Sequence, residues 1–333
     1  MPLLKGIARW RLSGDKFGVK SLGKIAIVGA GAVGSYYGAR LQAAGQDVHF
    51  LLRSDFDAVS AEGLKIQSVA GDFELPKVNA YRDPEEIGVV DWVVVAAKAT
   101  ANPAMVGLIR PLLHDTTAIL TLQNGLGNDE FFAAEFGEAR VLNGLCFVCI
   151  NRLRAGLIDH TASGLIRVGE YGRGITARLR DLVRVLEAAK VPCEGVESLE
   201  KAQWMKLVWN FPFNGLAIAE GGVDTQVLLK ERGLEPELRA LMAEICDVAA
   251  ALGHEIPASF IDHQIDITHP MGPYRPSSMI DYVEGRAVEF EAIWDRPLEV
   301  AERLGLEVPR MKALHQRIAE RLELRESAKT PRR

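Results

Sequence analysis

A chain of 333 residues exceeds the length that one hydrophobic core usually serves, so two domains are expected. Its composition, 48% hydrophobic and 25% charged, is that of an ordinary globular protein, and a formal charge of -5 argues against nucleic acid or anionic lipid as partner. Four cysteines, Cys146, Cys149, Cys193 and Cys246, are too few for a disulfide framework and fit a reducing, cytoplasmic compartment. No uncharged apolar run reaches the roughly 18 residues of a membrane span.

Residues 1-23 carry five Lys or Arg against one Asp and lack the apolar centre of a secretory signal, so they read as a basic extension. From Lys24 onward short apolar runs alternate with helical segments. KIAIVGA precedes a helix to about Ala44, then come DVHFLL and DWVVVAAK, a helix near 101-113, TAILTLQNG, a helix near 128-136, and RVLNGLCFVCI. This alternation predicts βαβ units and a parallel sheet. GLKIQSV, GLIDHTA and GLIRVGEYG look like antiparallel additions or edge hairpins, and a helix near 175-190 with VPCEGV completes the unit at 197. Residues 198-325 carry no strand pattern; helices are expected at 198-220, 236-252, 256-267, 288-304 and 309-323, before a solvated tail at 326-333. The predicted fold class is α/β, an N-terminal Rossmann-type doubly wound sheet over 24-197 with a C-terminal all-α domain over 198-325.

The first strand runs directly into Gly29, Ala30, Gly31, Ala32, Val33 and Gly34, and a helix follows. Strand, GxGxxG and helix in that order form the dinucleotide-binding fingerprint. Gly29 permits the tight turn, Gly31 lets backbone approach a diphosphate, and Gly34 allows helix and strand to pack closely. The helix N-terminus adds unpaired N–H groups and partial positive charge. At the end of the second strand an acid would grip the ribose of NAD, whereas arginine suits the 2′-phosphate of NADP. Arg53 stands there and favours NADP; Asp55, two residues on, keeps an NAD reading open.

Lys98 and Asn124 each follow a predicted parallel strand, at the sheet edge where open α/β folds bind ligands. In KLVWNFPFNG, Lys206, Asn210 and Asn214 recur every four residues and stay on one helical face. An ammonium and two amides in an otherwise apolar helix need hydrogen-bond partners, because burying them unpaired costs about 1–3 kcal/mol each or more.

With GAGAVG and its YYGARL helix, Lys98 in VAAKAT, the QNG at 123-125, KLVWN at 206-210 and SSM at 277-279, the chain resembles the ketopantoate reductase family over about 24-320. The resemblance implies NADPH-dependent reduction of a small 2-oxo acid, 2-dehydropantoate to pantoate. It implies Lys206 as general acid, Glu289 anchoring the substrate hydroxyl end or ordering Lys206, and Ser278 holding the carboxylate. Asn210 and Asn214 would line the substrate, Lys98 and Asn124 the cofactor, and the site would lie in a cleft between the domains. A ketone gaining hydride develops negative charge on oxygen, which a protonated lysine both stabilises and neutralises.

The chain departs from the family pattern around the substrate. SMID stands where SMLQD is usual, Arg275 and Pro276 precede the serine pair, Pro212 falls between the two asparagines, and Val288 and Glu291 flank Glu289. The cofactor fingerprint is spared, so the reaction type is better determined than the substrate. A β-hydroxyacid dehydrogenase would bring a DAPVSGG-type segment, which is absent, and a non-catalytic dinucleotide sensor would have no use for Lys206, Asn210 and Glu289 together. Cys146 and Cys149 form a CxxC inside a predicted strand rather than on the turn or helix start that redox and zinc pairs need. Asp262, Asp266 and His269 could build a metal face but read as a solvated helix face, so no metal is expected. Trp204, Trp209, Phe211 and Phe213 read as packing rather than a base-stacking platform. The expected partner is a small molecule, and a homodimer is left open.

Overall fold

The structure, a computed structural model, describes residues 21–329; most of the basic extension (1–20) and the end of the tail (330–333) lie outside the described residues. The chain parts into two compact units between Leu199 and Glu200.

The N-terminal unit runs β1 (Lys24–Val28), α1 (Ala32–Ala43), β2 (Asp47–Leu51), α2 (Phe56–Glu62), β3 (Leu64–Ser68), β4 (Phe73–Leu75), β5 (Asn79–Tyr81), α3 (Pro84–Ile87), β6 (Trp92–Val95), α4 (Asn102–Ile109), β7 (Ala118–Thr121), α5 (Asn128–Phe136), β8 (Val141–Arg154), β9 (Leu157–Glu170), α6 (Ala177–Ala188) and β10 (Cys193–Gly195). Within one sheet, β5-β2-β1-β6-β7-β8 are parallel neighbours. That is the doubly wound order, with the reversal of winding at β1 and β6. The central strands KIAIV, WVVV and AILT are almost wholly buried, as strands covered on both faces must be. Alternation along β1 sends Ile25 and Ile27 into a core with Tyr37, Leu41 and Leu186, and Ala26 and Val28 into another with Met105, Ile109 and Phe132. α1 and α6 thus cover one face, and α4 and α5 the other.

Beyond β8 the sheet is mixed: β9 pairs antiparallel with β8, but β3, the GLKIQSV segment expected as an antiparallel addition, and β10 both pair parallel with β9, and β4 pairs antiparallel with β3. GLIDHTA and GLIRVGEYG, expected as separate pieces, are one continuous strand, β9, paired along its length with an equally long β8. Register shifts between Phe147 and Val148 and between Cys149 and Ile150 break the two-residue alternation, which is why the sequence divides there. Ser163 and Gly164, both at positive φ, form the first irregularity. β4 and β5 are too short to show a period in sequence. Cys146 and Cys149 both lie on β8 as thiols outside any disulfide, and Cys146 packs beside the core.

The C-terminal unit is helical: α7 (Leu199–Ala219), α8 (Glu235–Ala251), α9 (Ala258–Thr268), α10 (Ser277–Val283), α11 (Arg296–Arg303) and α12 (Pro309–Lys329), with π turns at Val227–Glu231 and Glu291–Asp295. Its core includes Trp204, Phe211, Phe213, Leu241, Ile245, Trp294, Leu314 and Ile318, so the aromatic residues of KLVWNFPFNG serve packing; Trp209 stacks on Phe213 at 4.7 Å between ring centres. α7 continues through Pro212, although the proline supplies no N–H to the turn before it. Asn214 Nδ2 donates to Asn210 O (3.0 Å) and Trp294 Nε1 donates to Phe211 O (3.1 Å), hydrogen bonds that bracket the proline. α10, at seven residues, is too short to reveal its period. α12 extends to Lys329, into the segment expected as tail, because RESAK contains helix formers and neither Gly nor Pro.

Candidate active site

The ladders align Val28 with Leu51 and Val95, and Val95 with Thr121, so β1, β2, β6 and β7 end level along one sheet edge. Gly29 to Gly34, Arg53, Lys98 and Asn124 all follow from those strand ends. The glycines divide in role. Gly29 has φ +86, and a Cβ there would lie 2.4 Å from Ala97 N. A Cβ on Gly34 would lie 2.8 Å from Gly29 O and 3.1 Å from Ala96 Cβ. A Cβ on Gly31 would meet nothing within 4 Å. The protein's own packing therefore demands Gly29 and Gly34, while the bareness of Gly31 keeps space open at the start of α1. Ala30, Ala32 and Val33 complete the turn and the first helical residues, where main-chain N–H groups have no intrahelical acceptor. A diphosphate fits this cradle.

Arg53 is exposed beyond β2, and Asp55 beside it is buried. Asp55 Oδ1 accepts from Ser54 Oγ at 2.9 Å and from Arg152 Nη1 at 2.6 Å. Sequence reading missed Arg152, because β8 brings it to Asp55 from 97 residues away. Lys98 is half-buried and immediately precedes the 3₁₀ turn Ala99–Ala101.

Asn124 stands above a buried chain of amides that sequence reading also missed. Gln123 Nε2 donates to Asn102 Oδ1 (2.7 Å), Asn102 Nδ2 to Asn128 Oδ1 (2.9 Å), and Asn128 Nδ2 to Asn124 O (2.9 Å). Thr121 Oγ1 donates to Gln123 Oε1 (2.9 Å). Each carboxamide fixes the next one's orientation, which pins the main chain of the QNG loop. The amide-rich run TLQNGLGND was the available signal; Asn102, which links it, comes from the preceding helix.

In the C-terminal unit, Lys206 is 8% exposed, Asn214 and Ser278 are 2% exposed, and Glu289 is 7% exposed. Asn210 is half-buried on the same helix, α7. Asn214 bridges two segments: its Nδ2 donates to Asn210 O, and its Oδ1 accepts from Ser278 N at 3.0 Å. The α10 start that carries Ser278 is thereby tied to the helix that carries Lys206. Glu289 comes two residues before the π turn Glu291–Asp295, whose Trp294 indole bonds to the Phe211 carbonyl of α7. Arg286 Nε donates to Asp281 Oδ1 (2.8 Å), bracing the connection between Ser278 and Glu289. Asn214→Leu leaves the buried Ser278 N–H without its acceptor, so a stability loss of about 1–3 kcal/mol is expected in denaturant unfolding. Asn214→Asp keeps that acceptor and is expected to recover part of the loss; equal losses in both would remove this role.

Two members of the Asp262, Asp266 and His269 group have partners outside it. Arg239 Nη1 pairs with Asp262 at 2.7 Å, and His269 Nε2 lies 3.3 Å from Glu235. Among the described residues no three His, Cys, Asp or Glu side chains are grouped to hold a metal ion. No helix there is long and apolar enough to cross a membrane.

A doubly wound sheet carrying the dinucleotide fingerprint, followed by a helical unit with a buried lysine, defines the class: a Rossmann-type oxidoreductase. The family model described as "Ketopantoate reductase PanE/ApbA" matches residues 25–173, and the one described as "Ketopantoate reductase PanE/ApbA C terminal" matches residues 198–322. A 2-dehydropantoate 2-reductase from Nostoc sp. is 41% identical over 300 residues, covering 89% of this chain and 94% of the relative. The crystal structure of 2-dehydropantoate 2-reductase from Geobacter metallireducens superposes with TM-score 0.87 at 43% identity, covering 89% of this chain and 99% of that one. That of the Methylococcus capsulatus protein gives 0.84 at 32% identity, covering 91% and 98%. The chain belongs to the ketopantoate reductase family.

Proposed function

We propose that the protein reduces a small 2-oxo acid, foremost 2-dehydropantoate, to the 2-hydroxy acid with NADPH. The observation that carries this reading is the buried Lys206 on the helix whose Asn214 holds the Ser278 segment. Bound NADPH supplies the hydride. Gly29, Ala30, Gly31, Ala32, Val33 and Gly34 hold its diphosphate, Arg53 its 2′-phosphate, and Lys98 and Asn124 line the nicotinamide end. Lys206 donates the proton to the carbonyl oxygen, stabilising the charge that develops there. Burial keeps water away from that ammonium and strengthens its hydrogen bond to the oxygen. Ser278 binds the substrate carboxylate, Asn210 and the remaining amide hydrogen of Asn214 bind its polar groups, and Glu289 orders Lys206 or the hydroxyl end.

The test is NADPH oxidation across a panel of branched 2-oxo acids. The expected result is the highest kcat/KM with 2-dehydropantoate. Preference for another acid corrects the substrate, and no oxidation with any of them overturns the function. For the cofactor, Arg53→Ala is expected to weaken NADPH binding about tenfold, within the range of a lost charge-assisted contact, while NADH binding holds. Equal affinity of the unaltered protein for both nucleotides defeats the NADP assignment. A cytoplasmic location is part of the same proposal, and light scattering on the purified protein distinguishes a monomer from a homodimer.

A further inference from the structure

We infer that Arg152 is a cofactor-specificity residue, acting by neutralising Asp55 so that the end of β2 accepts a 2′-phosphate. The inference rests on the NADP reading above and extends it to a residue on a distant strand.

Asp55 lies 21 residues after Gly34, close to the offset of about 20 at which an acid binds the ribose hydroxyls of NAD. A carboxylate there repels a ribose 2′-phosphate, so Arg53 and Asp55, two residues apart, make opposing demands on the nucleotide. The structure resolves the conflict with arginines from elsewhere in the sheet. Arg152, near the far end of β8, places Nη1 2.6 Å from Asp55 Oδ1; the Asp55 side chain is 8% exposed and that of Arg152 43%. The other acid of the segment, Asp57, is met at 2.6 Å by Arg82, which follows β5 and lies over the Phe56 ring. Each acid around Arg53 thus has an arginine partner, and Arg53 is left exposed with no carboxylate partner among the described residues. The local sum of Arg53, Arg82 and Arg152 against Asp55 and Asp57 is one positive charge, the sign a phosphate requires.

The partly exposed Arg152 and the largely buried Asp55 also differ in what their loss does. Removing Arg152 uncovers a carboxylate and brings the local charge to zero. Removing Asp55 together with Arg152 restores the positive charge. A pair that merely tied the β8–β9 hairpin to α2 would instead weaken both nucleotides alike.

The test is calorimetric titration of purified variants with NADPH and with NADH, beside thermal unfolding. Arg152→Met is expected to raise the Kd for NADPH about tenfold while the Kd for NADH changes less than about twofold, since one unscreened charge at this range acts mainly on the added phosphate. Asp55→Asn combined with Arg152→Met is expected to return NADPH affinity to within about threefold of the starting protein. An unchanged ratio of the two affinities in Arg152→Met overturns the inference, as does a double variant that fails to recover. If the unaltered protein favours NADPH, and Arg53→Ala removes that preference, the NADP reading survives such a failure. If the unaltered protein shows no preference, both fall together.

Discussion

Replacing Lys206 by Ala is expected to lower turnover of the 2-oxo acid about 10²- to 10⁴-fold, the contribution of a positioned general acid. The Kd for NADPH is expected to stay within about twofold, because Lys206 and the Gly29–Gly34 turn belong to different units of the chain. The size of the effect follows from the chemistry: without the ammonium, the developing alkoxide has neither a proton nor a compensating charge at the moment hydride arrives. Since Lys206 is 8% exposed, its truncation also leaves space in a packed helix. Lys206→Met keeps most of the volume and separates the two losses: turnover should fall as far as in the alanine variant, with thermal stability retained. Unchanged turnover in either variant removes Lys206 from the mechanism.

Gly31→Val is expected to abolish most NADPH binding while leaving the fold intact. A Cβ at Gly31 meets no protein atom within 4 Å, so the substitution has no neighbour to displace at its first atom. Its branched methyl groups would fill the room through which a diphosphate approaches the start of α1. Steric overfilling of a formed site typically costs about 1–3 kcal/mol, or about a ten- to hundredfold loss of affinity. The contrast with Gly29→Ala is informative, since Gly29 combines φ +86 with a Cβ position 2.4 Å from Ala97 N. That variant should lose thermal stability as well as nucleotide binding. Nucleotide affinity unchanged in a stable Gly31→Val protein places the cofactor elsewhere.

The dinucleotide half was legible because its signals are local. The burial of β1 on both faces, the order of glycines after it and the helix that follows lie within 20 residues, and their meaning depends on neighbours along the chain. The placement of Lys206, Asn210 and Asn214 on one helix was legible for the same reason, since four-residue spacing on a helix is a local regularity. The extent of β9 was not, because Ser163 and Gly164 interrupt the alternation that marks a strand, while pairing with β8 restores it across the irregularity. Pro212, one of the departures from the family pattern, does not end α7, and beyond it Asn214 bonds to Asn210 O and Ser278 N.

What the sequence by itself determined is the class of fold and the identity of its candidate groups: a doubly wound sheet, a glycine turn between β1 and α1, an arginine after β2 and a lysine among amides. Only the tertiary structure decided what those groups touch. It set Arg152 on Asp55 across 97 residues, joined Asn102 to Gln123 beneath Asn124, and fastened Ser278 to Asn214 from 64 residues away. The physical reason is common to all three. Backbone propensity and side-chain period are written over a few neighbouring residues, whereas the partner of a buried polar group is chosen by burial itself, which forces it to bond whatever acceptor or donor the packing brings near.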